Sequence, residues 1–202
     1  MERIAILAAR RTAVGTFGGM FKETSAITLG EEALKAALND AGVRPDQLDE
    51  VIVGNILSAG LGQNPGRQIA INAGTPVNVP AYTINKLCGS GLKSVTLGAG
   101  SILLGEADIV AAGGSENMTR APYASNQARF GARMGDAQLE DLMLKDALYD
   151  AFNDYHMGVT AENLADQWDV SREEMDRFAA WSQNKAQAAM DSGRFAEEIV
   201  PI

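Results

Sequence analysis

The single cysteine of the chain, Cys88, has the side chain best placed for covalent chemistry. It lies between a run of β-forming residues, Val79–Leu87, and a small apolar stretch with helical spacing, Gly91–Leu104. A thiol at the start of a helix faces unpaired backbone N–H groups and the positive end of the helix dipole, which favour the reactive thiolate. The flanking Gly89 and Gly91 permit a tight turn and close approach of a substrate. The pattern therefore predicts a nucleophile, and position alone also allows a small buried core residue.

Other common arrangements of reactive or binding residues have less support. The only histidine, His156, could pair with Cys88, but no triad-like spacing accompanies it, so a Cys–His hydrolase is a weak hypothesis. Taken alone, this histidine is interpreted as a loop residue that bonds to the backbone. Neither Gly89-x-Gly91 nor Gly113-Gly114 completes a dinucleotide-binding loop, and no phosphate loop is present. Because these loop motifs are missing, we predict no nucleotide cofactor. No Cys/His cluster has zinc-ligand spacing, so we also predict no metal site.

Composition and charge restrict the class of protein. The 202 residues are 46% hydrophobic and 21% charged, which is ordinary for a globular protein. The net charge of −9 argues against nucleic acid as a partner because an acidic surface repels phosphate. No apolar run is long enough for a membrane span, and the N-terminal apolar run is too short for a signal peptide. One cysteine cannot form an internal disulfide. We therefore expect a cytoplasmic protein.

Strands alternate with helices over the first 118 residues. Ile4–Ala9 is predicted as a strand buried on both faces, and Thr28-x-x-Glu31 as a capping box that starts an amphipathic helix ended by Gly42. The further predicted elements are strands at Val51–Val53, Tyr82–Leu87 and Asp108–Ala112, and helices at Arg67–Ala73 and Cys88–Leu104. This order predicts an α/β fold with a mostly parallel sheet covered by helices on both faces. Ligands in such sheets bind at the carboxyl ends of the strands, where Cys88 is expected to lie.

A different character begins after Met118. Thr119–Met143 is polar and irregular, and a loop of this length is usually functional or part of an interface. Helices are predicted over Thr160–Trp168 and after a second capping box, Ser171-x-x-Glu174. The last helix is expected to bury its apolar residues, which are Met175, Phe178, Ala179, Ala186, Ala189 and Met190. A helical, loop-rich region is therefore predicted to follow the α/β core.

The segment Asn85–Gly91 closely resembles the nucleophile segment of the thiolase family, the acetyl-CoA C-acetyltransferases. Further segments look like thiolase landmarks in thiolase order, namely Arg11–Gly15, Phe17–Gly19, Gly54-Asn55, Gly62–Arg67 and Ala112–Met118. Tyr155–Gly158 with Thr160–Asn163 is similar to the substrate loop of the biosynthetic type, whose substrates are acetyl-CoA and acetoacetyl-CoA. The resemblance covers essentially the whole chain and about the first half of a thiolase.

The resemblance implies roles for particular residues. Cys88 would be the catalytic nucleophile that takes an acetyl group from acetyl-CoA, for Claisen condensation to acetoacetyl-CoA or for the reverse thiolysis. The nucleophile turn would be shaped by Asn85, Gly89, Ser90 and Gly91. His156, Met157 and Leu148 would line the substrate pocket, although Leu148 also fits an amphipathic helix. Coenzyme A enters as a thioester substrate, and no further cofactor is implied.

The resemblance also implies an organisation and a set of partners. Residues 1–118 would form the N-terminal thiolase core and 119–202 part of a loop domain, with 120–143 as a tetramerisation-type loop. The C-terminal thiolase domain would be absent, and with it the activating histidine and a second cysteine. We therefore expect self-association through the central helix, predicted to be buried all round, and no sustained turnover by this chain alone. The alternative is a non-catalytic half-chain that binds a complementing subunit.

Overall fold

The computed structural model describes residues 3–202, and strands alternate with helices through the first part of the chain. The strands are β1 (Arg11–Thr12), β2 (Glu50–Gly54), β3 (Ala81–Ile84), β4 (Val110–Gly114), β5 (Tyr123–Ala124), β6 (Glu140–Asp141) and β7 (Ile199–Val200). The helices are α1 (Ala26–Ala41), α2 (Pro65–Asn72), α3 (Ser90–Leu103), α4 (Met157–Gln167) and α5 (Arg172–Asp191), with short 3-10 or π turns between them. One compact unit runs to Ala147 and includes Val200–Ile202, and a second unit is Leu148–Ile199.

The centre of the first unit is a three-stranded parallel sheet in the order β3-β2-β4. On its two sides, Val51 of β2 is in register with Ala81 of β3 and Ala111 of β4. A parallel strand needs a crossover between neighbours, and α2 and α3 supply helices for these connections. The predicted α/β class with a mostly parallel sheet is confirmed.

Strand β2 packs on both faces because successive side chains of a strand point to opposite sides. Val51 and Val53, 1% and 6% exposed, belong to a core cluster with residues of α1 and α2 such as Leu38 and Ile69. The opposite face of the sheet is covered by α3, because a Cβ added to Gly98 of α3 would lie 2.8 Å from Val110 Cγ1. Helices therefore lie on both faces of the sheet, as predicted.

Helix α1 begins earlier than the sequence pattern predicts. Its N-cap is Ser25, whose Oγ accepts a hydrogen bond from Thr28 N at 3.0 Å, so Thr28 lies inside the first turn. The predicted Thr28-x-x-Glu31 capping box is therefore wrong. The predicted end is right, since Gly42 has the left-handed conformation, φ 63°, that closes the helix.

One predicted buried strand of the first unit is absent. Ile4–Ala9 forms no strand, and Ile6 and Leu7 are 79% and 61% exposed. An apolar run becomes a strand only when a neighbouring strand completes its ladder of backbone hydrogen bonds, and no strand within residues 3–202 pairs with this run. Helix α3 has an exposed apolar face, since its Leu92 and the following Leu104 are 74% and 75% exposed, as expected of a helix that needs another molecule to cover it.

The second unit contains α4 and α5. Helix α4 begins at Met157, not at Thr160 as predicted, because His156 caps it. The capping box of Ser171 and Glu174 is confirmed at the start of α5. The apolar residues of α5 do not form a core: Phe178 and Met190 are 66% and 55% exposed. Periodicity fixes which residues share a helix face but not whether another element covers it.

Segment 120–143 is more regular than a loop. Tyr123 and Ala124 of β5 pair antiparallel with Asp141 and Glu140 of β6, and Asn126 Nδ2 donates to Glu140 Oε2 at 2.8 Å. Between these strands the large apolar side chains are exposed, with Phe130 at 77% and Met134 at 98%.

None of the helices in the described residues 3–202 is long and apolar enough to cross a membrane.

Candidate active site

Cys88 lies in a turn between β3 and α3, and its side chain is exposed. Strand β3 ends at Ile84, three residues before the predicted end at Leu87, and α3 begins at Ser90 with Gly89 as its N-cap. The thiol is therefore not at the strand end itself but two residues before the first helical residue. An exposed sulfur at this place is accessible to a bulky thioester, and the interpretation as a buried core cysteine is wrong.

Hydrogen bonds from two side chains fix the backbone of this turn. Asn85 Oδ1 accepts from Leu87 N at 2.9 Å. Ser90 Oγ accepts from Lys86 N at 2.7 Å and donates to Leu87 O at 2.6 Å. These contacts hold Leu87 in the left-handed region at φ 47°, which is unfavourable for a side chain with a Cβ and needs support from its surroundings. The turn that presents Cys88 is therefore constrained on both sides of the sulfur.

Replacing Ser90 by alanine should lower the free energy of unfolding by about 1–3 kcal/mol, because the Lys86 N–H loses its acceptor. Ser90 is 4% exposed, so water reaches the freed group poorly. Thr96→Ala is the matched control, since its exposed Oγ1 bonds only to Lys93 O within the same helix. Urea unfolding of the three proteins checks this, and equal losses for Ser90→Ala and Thr96→Ala would contradict it.

The ends of β2 and β4 meet the first turn of α3 through glycines. A Cβ added to Gly54 would lie 2.6 Å from the carbonyl carbon of Ser90 and 2.8 Å from Gly91 N. A Cβ added to Gly114 would lie 3.2 Å from Gly91 Cα. Ser94 Oγ, fully buried, lies 2.6 Å from Gly91 O and 2.8 Å from Gly113 O. The start of α3 therefore packs directly against the carboxyl ends of β2 and β4.

A carboxylate and an amide beside these strand ends were not predicted as site residues. Glu116 follows β4, and its Oε2 accepts from Ile56 N at 2.8 Å while its Oε1 accepts from Leu57 N at 3.1 Å and Asn55 Nδ2 at 3.0 Å. Asn55 is 2% exposed, and its Nδ2 also donates to Ser115 O at 2.9 Å. The signal in the sequence is a polar residue soon after each strand, at Gly54-Asn55 and Gly114-Ser115-Glu116.

Burial raises the pKa of Glu116 above its ordinary value of about 4.5, and it outweighs the three N–H donors, which act in the opposite direction. A raised pKa in the folded chain means that this group stabilises the fold most below pH 4.5 and that this contribution is lost as the pH rises through the raised value. We expect the difference in unfolding free energy between wild type and Glu116→Gln to shrink over that range. Unfolding at several pH values measures it; a difference that grows with pH would contradict the assignment.

The three predicted pocket residues belong to the second unit. His156 is the N-cap of α4, and its Nδ1 accepts from Gly158 N at 3.0 Å, so the neutral ring carries its proton on Nε2. The centroids of the His156 and Tyr149 rings are 5.8 Å apart, and the two rings pack edge to face. Met157, 36% exposed, is the first residue of α4, and Leu148 is the half-buried last residue of a π turn, Leu144–Leu148. These three residues lie close together along the chain, and Cys88 and its turn lie in the first unit.

Within residues 3–202, no three His, Cys, Asp or Glu side chains are grouped so that they could hold a metal ion.

Comparison with known proteins identifies one family. The family model described as thiolase, N-terminal domain, matches residues 4–202. An acetyl-CoA acetyltransferase of Cupriavidus necator and one of Pseudomonas aeruginosa are each 55% identical over the whole chain, and a probable acetyl-CoA acyltransferase of Staphylococcus aureus is 52% identical. The chain spans 51% of the length of each of these relatives.

Proposed function

The chain belongs to the thiolase family, and we propose that it forms the nucleophile-bearing part of an enzyme that transfers acetyl groups between coenzyme A thioesters. The match to the thiolase N-terminal domain and the relatives named acetyl-CoA acetyltransferase support this class of reaction. The single observation that carries the assignment is the exposed Cys88 in a constrained turn before α3, beside the carboxyl ends of parallel strands.

In the proposed first step, the Cys88 thiolate attacks the carbonyl carbon of acetyl-CoA. A new S–C bond forms, the carbonyl oxygen takes the negative charge, and the bond to the sulfur of coenzyme A then breaks. Coenzyme A leaves as a thiolate that takes up a proton, and the acetyl group stays on Cys88 as a thioester. Exchange of one thioester for another is nearly balanced in energy, so the acetyl group remains activated. The backbone N–H of Cys88, just before the start of α3, would help to stabilise the oxyanion.

In the proposed second step, a carbanion derived from a second acetyl-CoA attacks the acetyl-enzyme to give acetoacetyl-CoA, and the reverse direction is thiolysis. Proton transfer in this step needs an acid/base group. The chain has one cysteine, assigned to the nucleophile, and one histidine, which caps α4 in the second unit. We therefore propose that full turnover uses further groups from a complementing C-terminal thiolase part, and that this chain alone acylates once.

We assign the remaining predicted residues to supporting roles. Asn85, Gly89, Ser90 and Gly91 shape the nucleophile turn. The hydrogen bonds of Asn85 and Ser90 to Leu87, and the close packing of Ser90 and Gly91 on Gly54 of β2, support this role. His156, Met157 and Leu148 contact the substrate in the assembled enzyme. Coenzyme A thioesters are the substrates, and we propose no further cofactor.

We propose that residues 1–118 are the catalytic core and that 119–202 belong to a loop domain. In that domain 120–143 contacts another subunit, in a homo-oligomer, because its exposed Phe130, Met134 and Leu139 suit an interface. We place the protein in the cytoplasm, where an exposed free thiol such as Cys88 stays reduced.

The experiment is to incubate the full chain with acetyl-CoA, follow its intact mass and titrate the released coenzyme A. We expect one acetyl group per chain and one equivalent of free coenzyme A, and addition of excess coenzyme A should remove the acetyl group. An unmodified mass together with stable binding of a complementing chain would support the non-catalytic alternative and contradict the proposal.

A further inference from the structure

Two carboxylates bridge β2 and β4 at opposite ends of the sheet. Asp49 precedes β2, and its Oδ2 accepts from Asp108 N at 2.8 Å and from Ile109 N at 2.9 Å, just before β4. Glu116 follows β4 and accepts from Ile56 N and Leu57 N, just after β2. The two side chains make the same kind of bridge, but only that of Glu116 is at the carboxyl ends of the strands. Any effect specific to this end can therefore be separated from a general effect on the sheet.

The Glu116 bridge is connected to the nucleophile turn by backbone contacts. Asn55 donates its side-chain amide to Glu116 and its backbone N–H to Ile84 O at 3.0 Å. Ile84 is the last residue of β3 before the turn. The residue before Asn55, Gly54, lies so near Ser90 that an added Cβ would be 2.6 Å from the Ser90 carbonyl carbon, and its carbonyl oxygen accepts a hydrogen bond from Ser115 N at 3.0 Å. The segment Gly54–Leu57 thus contacts both the entry and the exit of the turn that contains Cys88.

Loss of this carboxylate would free one side of the turn's support. The segment 55–57 forms no helix or strand of its own, and two of its backbone N–H groups, those of Ile56 and Leu57, donate to Glu116. The partly buried carboxyl group accepts from three N–H donors, and its removal would leave these donors without this acceptor. A small displacement of Gly54 would be transmitted to Ser90 because the two are already at contact distance.

We propose that Glu116 is a positioning residue for acyl transfer, and that its carboxylate holds Gly54–Leu57 against the turn so that Cys88 Sγ meets the thioester carbonyl in a productive orientation. The proposal depends on the proposed function for the role of Cys88. It assigns Glu116 no contact with the substrate. Orientation of a nucleophile is worth large factors in rate, and a misplacement of about 1 Å can cost about 100-fold.

Hydrogen exchange tests the positioning without any substrate. In Glu116→Gln one carboxylate oxygen becomes an NH₂ group, which cannot accept from the N–H that faces it. We expect exchange of the Gly89 and Ser90 amides, which donate to Lys86 O and Leu87 O, to rise about 10-fold. The matched control is Asp49→Ala, which removes the acceptor of two N–H groups at the other end of the sheet and should accelerate exchange only around Asp108 and Ile109. Unchanged exchange in the turn of Glu116→Gln would overturn the proposal.

The rate of acetyl transfer tests whether Glu116 orients Cys88 for the reaction. Under single-turnover conditions the fraction of chain that is acetylated reports folded protein, and the rate constant reports orientation. For Glu116→Gln we expect a rate constant lower by about 10- to 100-fold, with the final fraction and the half-saturating acetyl-CoA concentration unchanged. Asp49→Ala should stay within about twofold of wild type. A Glu116→Gln rate constant equal to that of Asp49→Ala would overturn the positioning role.

The two measurements separate this inference from the proposed function. A wild-type chain that forms no acetyl adduct contradicts acyl transfer, and hydrogen exchange of the turn still decides whether Glu116 orders it. Glu116→Asp is the second variant if Glu116→Gln does not fold. It keeps the charge but is one methylene shorter, so it should still disturb the turn more than Asp49→Ala does.

Discussion

Replacing Cys88 by alanine is expected to abolish transfer of the acetyl group from acetyl-CoA to the chain. The chain has no second thiol, and a hydroxyl or amine elsewhere lacks the position of Cys88 in the turn before α3. Loss of a catalytic nucleophile typically lowers the rate by on the order of 10⁴-fold or more, so no adduct should form on the time scale of the wild type. Because the thiol is exposed, its removal leaves no cavity, and the urea midpoint should stay unchanged.

A lysine variant is the control for this prediction. Lys86 lies in the same turn, has an exposed side chain and could be acetylated directly by the reagent. Lys86→Gln should therefore acetylate within a few-fold of the wild-type rate. Intact-mass time courses of the three proteins make the comparison. An adduct that survives in Cys88→Ala and disappears in Lys86→Gln would show that the thiol is not the nucleophile.

The second large effect is expected for Gly54→Ala. The new methyl group would lie 2.6 Å from the carbonyl carbon and Cβ of Ser90, and a real Cβ cannot approach a backbone atom so closely. The start of α3 must move, and the turn with Cys88 moves with it. We expect acetyl transfer to slow by about 100-fold and the free energy of unfolding to fall by about 1–3 kcal/mol.

Gly100→Ala is the matched control because it makes the same chemical change within α3. Apart from its chain neighbours and the backbone of the same helix, no atom of residues 3–202 lies within 4 Å of a Cβ added at Gly100. Alanine is favoured over glycine inside a helix by about 1 kcal/mol. This variant should be as stable as the wild type or more stable, with an unchanged rate of acetyl transfer. Similar rates for Gly54→Ala and Gly100→Ala would refute the argument that strand β2 positions the turn.

Much of the first unit could be predicted because its signals are local. The parallel sheet follows from apolar runs such as Val51–Val53 that alternate with amphipathic helices. The end of α1 follows from Gly42, because glycine adopts the left-handed conformation that closes a helix without the steric cost of a Cβ. The Ser171 and Glu174 capping box is likewise contained within four residues.

The failures occur where a structure depends on a partner far along the chain. Ile4–Ala9 has the composition of a buried strand, but a strand requires a paired neighbour, and its apolar side chains are exposed. The same holds for α5, where periodicity predicts an apolar face but not the element that would cover it. The start of α1 failed for a different reason: Thr28 and Glu31 match the stronger motif, yet Ser25 caps the helix without a reciprocal glutamate.

The contacts of Glu116 could not be predicted from spacing. Its bonds to Asn55, Ile56 and Leu57 span 59 to 61 residues. They arise only because β2 and β4 are neighbours in the sheet although β3 lies between them in sequence. By contrast, the thiol and its flanking glycines form a single short segment, so Cys88 could be chosen from the sequence alone.

The most direct test of the account is to locate the acetyl group after reaction with acetyl-CoA and to establish its bond type. Peptide mapping by tandem mass spectrometry, with and without neutral hydroxylamine, distinguishes a thioester on Cys88 from an amide on the nearby Lys86 or Lys93. We predict one acetyl group on Cys88 that hydroxylamine removes. A hydroxylamine-stable acetyl group on either lysine, with Cys88 unmodified, would contradict the assignment of this chain as the acyl-accepting part of a thiolase.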